Sequence, residues 1–180
     1  YKPAFKTINF AAIPFLREPM KLDCDLAKWK DIPGLPMCVN DRKERRLKVV
    51  EPQYVKVAWD NAGFYFLYDV KDADGRIKKV FAHNFWEGDA VEIFIDARNT
   101  KDKAREAVWT QQFWVWPFGA TDAANSTGGE AICSASGKQF LYISYKSDKI
   151  QRAAKPTSEG WVMEVRIPAG VTDGSRVRVA

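Results

Sequence analysis

The sequence predicts an all-β fold, a two-sheet antiparallel β-sandwich, and three features lead there. Short apolar stretches alternate with period two, which puts successive side chains on opposite faces of a pleated strand. Clusters of Asp, Asn, Gly and Pro punctuate them at turn positions. Helical character is confined to Asp25–Trp29 and Lys103–Trp109, a turn or two each. Many short strands with such punctuation are the pattern of a sandwich.

The elements follow in order. Residues 1–21 hold scattered apolar groups and three prolines, and are expected to lie extended over a body formed by residues 22–180. Val55–Trp59 alternates and stops at Asp60-Asn61-Ala62-Gly63, which leads into Phe64–Val70 as a hairpin. Asp72-Ala73-Asp74-Gly75 ends that strand. Ala90–Ile95 comes next, then Gln111–Trp116, closed by Pro117, which has no N–H to continue a ladder. Residues 119–130, GATDAANSTGGE, read as a small-residue loop. Ile132–Ala135 and Gln139–Lys146 form a second hairpin across Ser136-Gly137. Trp161–Ile167 ends at Pro168, and Arg176–Val179 begins a last strand.

Alternation also assigns faces. Val91, Ile93 and Ile95 point to the inter-sheet core, as do Phe113 and Val115. The opposite face carries Glu92, Phe94, Trp114 and Trp116, with Trp86 entering from the preceding loop. Two functions fit such a face. The rings could cover a second apolar layer beneath the N-terminal segment. They could instead floor a groove in which an indole packs on sugar C–H groups and a carboxylate accepts hydrogen bonds from hydroxyls. Trp86, in a loop beside Glu87-Gly88, is the best placed for the second role.

Catalytic constellations are poorly supplied. Paired-carboxylate hydrolysis needs two carboxyl groups ~5–9.5 Å apart across one cleft. Asp89 and Glu92 point to opposite faces of a regular strand, and Glu92 and Asp96 would stand ~13 Å apart along one. His83 is the single histidine, in a loop, and no serine sits in a GxSxG elbow. No Gly-rich phosphate loop is present. Asp60, Asp72, Asp74, Asp96 and Asp102 lie in turns or at strand ends, where a structural calcium would find oxygen ligands, without a defined ligand set.

The 180 residues make one domain with a sizeable core. The charge of +5 and the run DRKERRLK, Asp41 to Lys48, are too mixed in sign for a nucleic-acid surface, and that run is expected as a solvated loop. Cys24, Cys38 and Cys133 form no CxxC pair; Cys24 and Cys38, nearest in sequence, could form one disulfide. No stretch approaches the ~20 apolar residues of a membrane span. No signal peptide is visible and the chain opens on Tyr1 rather than an initiator methionine, as expected of a processed or trimmed product, which leaves an exported origin open.

WEGDAVEIFIDARN, Trp86 to Asn99, resembles the signature of the family 9 carbohydrate-binding modules and the wider DOMON-like β-sandwich superfamily. LDCDLAKW, Leu22 to Trp29, is similar to that family's opening motif, with Cys24 where glycine is usual. VKVAWDNAGFYFLYDVKD, QQFWVWP and GWVMEVRIP fall in the family's order. The resemblance implies a non-catalytic module that holds a sugar ring between two tryptophans. Trp86 matches the first of these and Glu92 a sugar-contacting glutamate, while Trp114 stands where the sugar binders carry arginine. The second tryptophan would belong to a segment beyond Ala180. Ligand-binding candidates are therefore Trp86, Glu92, Trp114 and Trp116, for a mono- or oligosaccharide or a polysaccharide. The module would serve an extracellular or periplasmic bacterial protein with other domains. Alternatives within the resemblance are a structural or protein-interaction module that has lost the sugar site, and a b-type haem domain. Haem would have to draw axial ligands from Met20, Met37, Met163 and His83.

Overall fold

A computed structural model describes residues 12–41, 46–72, 76–95, 111–133, 140–147 and 149–168. Among these, two antiparallel sheets form the sandwich. The first contains β1 (Gly34–Asp41), β2 (Arg46–Asp60), β3 (Gly63–Lys71), β8 (Gln151–Thr157) and β9 (Gly160–Pro168), in the order β1-β2-β3-β9-β8. The second contains β4 (Val91–Ile95), β5 (Gln111–Val115), β6 (Gly128–Cys133) and β7 (Phe140–Ser147), in chain order. The expected fold class is thus observed. No helix among the described residues is long and apolar enough to cross a membrane.

The inter-sheet core follows the alternation. Val91, Ile93, Phe113 and Val115 from the second sheet meet Val57, Phe66, Met163 and Val165 from the first. The β2–β3 hairpin turns at Asp60, whose Oδ1 accepts the Ala62 N–H at 2.7 Å. Gly63 is required in that turn, because a Cβ there would lie 2.3 Å from the Ile167 carbonyl oxygen.

Two strands, β1 and β8, are not among the expected ones, and both are sheet edges. Each contains a proline, Pro36 and Pro156, which an edge tolerates because one side of its ladder is unpaired. The β1–β2 register shifts at Pro36/Met37. DRKERRLK is a correction: the β1–β2 ladder runs into it, pairing Asp41 with Arg46. The loop expected over 119–130 is likewise shortened, since β6 begins at Gly128. Lys103–Trp109 and Arg176–Val179 lie outside the described residues.

The outer face of the first sheet is capped by the chain's opening. Phe15 bridges Trp59, with Leu16 N–H donating to Trp59 O at 2.7 Å and Trp59 N–H to Pro14 O at 3.1 Å. Leu16, Met20 and Leu22 then pack over Ala58, Tyr65 and Val162. The helical turn is a 3-10 helix, Leu26–Trp29, capped by Asp25 accepting from Ala27 N–H.

One fully buried carboxylate organises this cap. Glu164 Oε2 accepts the Asp23 and Cys24 N–H groups, both at 2.7 Å, and Oε1 accepts Trp29 Nε1–H at 2.6 Å. Lys28 Nζ supplies the counter-charge at 2.8 Å. Cys24 has φ 56°, a left-handed conformation that glycine adopts without strain and other residues rarely do. It is a free, buried thiol, so no disulfide joins it to Cys38. Burial raises the Cys24 thiol's pKa, with the Glu164 charge adding to the effect.

Candidate functional site

The outer face of the second sheet is built by β4 and β5. Antiparallel pairing sets Glu92 opposite Trp114 and Phe94 opposite Gln112. Cross-strand partners on one face stand ~4.5–5.5 Å apart at Cβ, so Glu92 and Trp114 are neighbours. Gln112 Nε2 donates to Glu92 Oε2 at 2.8 Å and orients the carboxylate. Glu92 and Phe94 are exposed, and from β7 Ile143 and Tyr145 add two more exposed groups.

A second 3-10 segment, Ala82–Glu87, crosses above this face. It carries Trp86, 53% exposed, and Phe85, which is buried. Phe85 lies flat on Trp114, with centroids 4.2 Å apart and planes 7° apart. Trp86 meets the edge of Phe85 at 5.1 Å and 82°. Tyr145 tilts toward Trp114 at 6.0 Å. On its other side the Trp114 ring rests on β6 at Gly129, where a Cβ would come within 2.1 Å of Cζ2.

The four candidate residues therefore share one face but not one exposure. Trp86 and Glu92 are accessible. Trp114 and Trp116 were expected to extend an open platform; both are instead buried, at 1% exposure, in a cluster with Ala82, Phe85, Ala120 and Ala131. The cover comes from the segment before β4, and residues 12–22 lie on the opposite sheet. All five residues of β5 are buried because the first sheet covers one face and this segment the other. Phe85 and Tyr145 were missed. Alternation alone puts Gln112 on the face of Trp114 and Trp116, though not among the ligand candidates; Tyr145 shares the parity of Ile143, and its place beside Trp114 needed the strand register.

The segment is held at its ends. Ala82 N–H donates to Asp122 Oδ1 at 2.7 Å, and Thr121 N–H to Val80 O at 2.8 Å. Asp89 N–H donates to Lys78 O, while Asp89 Oδ2 accepts Lys78 N–H at 2.7 Å. The Ala82 bond, helped by Lys146 and His83, holds the Asp122 carboxyl below its ordinary pKa.

Other candidates are differently placed. Asp60, proposed for calcium, spends its oxygens on Ala62 N–H and on the Tyr65 hydroxyl at 2.8 Å; Asp74, Asp96 and Asp102 lie outside the described residues. Among the described residues no group of three or more His, Cys, Asp and Glu is arranged to hold a metal. Met163, one haem candidate, is core. On the first sheet a groove of about 200 Å³ is lined by Leu26, Tyr54, Lys56, Leu67, Asp69 and Lys71. Its ammonium groups are engaged, Lys56 with Trp29 O at 2.6 Å and Lys71 with Glu159 at 2.9 Å.

The profile of the carbohydrate family 9 binding domain-like family matches residues 49–177, well over half of the chain. The chain belongs to that family. Among solved structures, this family 9-like domain is similar to a candidate carbohydrate-binding protein from Bacteroides uniformis ATCC 8492. The TM-score is 0.53 at 15% identity, covering 81% of this chain. At that identity the likeness speaks to the fold, and this chain spans 64% of the other. No curated protein matches the sequence.

Proposed function

We propose that this domain binds carbohydrate without catalysis, through Trp86 and Glu92 on the outer face of β4 and the segment before it. The observation that carries this is their joint exposure on one face, with each held from behind. Phe85 props the Trp86 ring from its buried side, and Gln112 fixes the Glu92 carboxylate. An indole so placed packs on the apolar face of a pyranose, and the carboxylate accepts hydrogen bonds from its hydroxyls. Membership in a carbohydrate-binding family supports the ligand class. One stacked ring and a few hydrogen bonds leave affinities of about micromolar to millimolar after ordering costs. An exported parent protein of several domains fits such a module.

Calorimetric titration of mono- and oligosaccharides, with Trp86→Ala beside the wild type, tests the proposal. Binding that the substitution abolishes while far-UV circular dichroism stays unchanged is the expected result. Binding that survives Trp86→Ala would place the sugar elsewhere. Absence of heat with every sugar would favour a protein-interaction role for the exposed rings.

A further inference from the structure

We propose that Trp114 is a second, covered stacking subsite, which takes the neighbouring ring of an oligosaccharide when Phe85 leaves it. The proposal rests on the assignment of Trp86 and Glu92 to sugar binding and extends that site inward. Three observations support it. First, the Trp114 indole lies flat on the sheet, seated on a glycine that leaves no room for a Cβ. A tryptophan laid flat on a sheet offers its whole upper face to a planar partner. Second, that upper face is occupied by Phe85 at 4.2 Å and 7°, the place and attitude a pyranose takes on an indole. Third, the Trp114 indole N–H is buried and has no acceptor among the described residues, as is also true of Trp116 and Trp161; of the three, Trp114 alone carries a ring laid flat on it, and a hydroxyl reaching past the ring edge would give its N–H an acceptor.

The cover is pinned at its flanks. Its anchors lie at Ala82 and Asp89, on either side of Phe85. Among the described residues, no hydrogen bond ties residues 83–88 to the sheet. The bonds they do make, Asn84 N–H to Phe81 O and Gly88 N–H to Phe85 O, run within the segment and its flank. Phe85 is therefore held on Trp114 by ring contact, which an incoming ring can replace. Glu92, across the strand pair from Trp114, would then face hydroxyls of both sugar rings. Short sugars would use Trp86 alone, and longer ones would engage both indoles.

Hydrogen exchange of assigned indole N–H signals in the whole chain tests the cover without any ligand. Trp161 is the internal control, since it is a core residue whose indole N–H also lacks a partner. Trp114 is expected to exchange at least about tenfold faster than Trp161, through local opening. Equal rates, both tracking global unfolding, would overturn the proposal. Titration with glucose and xylose and their β-1,4-linked trimers tests the ligand. Phe85→Ala should raise the ratio of trimer to monosaccharide affinity roughly two- to tenfold over the wild type, the equivalent of one aromatic pair removed; the ratio cancels the lost support of Trp86, which acts on both sugars alike. Phe85→Leu, which keeps an apolar cover without a flat ring, should show part of the gain and guards against a misfolded alanine variant. A ratio unchanged or lowered in both variants would overturn the subsite. No sugar binding by any variant would overturn the sugar assignment of both sites, whereas fast Trp114 exchange would still show a movable cover.

Discussion

Glu164→Gln isolates the buried carboxylate that anchors the chain's opening to β9. Glutamine keeps the shape, and its amide oxygen still accepts the Asp23 and Cys24 N–H groups. Its NH2 group must then face Trp29 Nε1–H, now 2.6 Å from Oε1, donor against donor. An indole N–H left buried and unpaired costs about 1–3 kcal/mol. The two backbone bonds lose their charge assistance, about 0.5–1 kcal/mol each. Lys28 contributes less to the loss, because it keeps Asp23 at 2.5 Å. The expected destabilisation is about 3 kcal/mol, toward the lower end of what removing one partner of a buried charge pair costs. Urea unfolding followed by circular dichroism gives the number, as a lowered midpoint at unchanged slope. Trp29→Phe removes the stranded donor, so Glu164→Gln should cost about 1–2 kcal/mol less in that background. A loss below ~1 kcal/mol, or strict additivity of the two substitutions, would refute this account of the anchor.

Gly129→Ala should displace the Trp114 ring and cost about 1–3 kcal/mol as overpacking against backbone and indole; near-UV circular dichroism and the urea midpoint check both effects. Cys24→Gly should change stability by less than ~1 kcal/mol, because relief of the left-handed φ is offset by a more flexible unfolded chain. Cys24→Val should instead cost about 2–3 kcal/mol, since a β-branched residue fits that conformation poorly, and the same urea assay separates the two. Hydrogen bonds from Lys28 and from the Asp25 N–H lower the Asp23 pKa. Its stabilising contribution is therefore complete above the unfolded value near 3.8 and is lost as pH falls through the lower folded value. Asp23→Asn should flatten the decline of melting temperature below about pH 4, and an unchanged slope would contradict the assignment.

Alternation along the chain was enough to mark the fold class, the inter-sheet core and the face that carries Glu92, Phe94, Trp114 and Trp116. These follow from period two, which is a local property of the chain and survives any packing. The sequence also marked Asp25–Trp29 and the Asp60–Gly63 turn, where a side chain satisfies its own backbone. The edge strands β1 and β8 were hidden because a strand paired on one side tolerates proline and polar residues, and so loses the pattern that announces it. The start of β6 was hidden because Gly128 and Gly129 read as a loop until the Trp114 ring explains the need for glycine. Which tryptophans meet solvent is set by contacts between distant parts of the chain. Parity along a strand tells which face a ring occupies, but whether that face is open depends on a segment arriving from elsewhere. Here Phe85 closes it over Trp114, and Trp86 and Glu92 remain accessible at its margin.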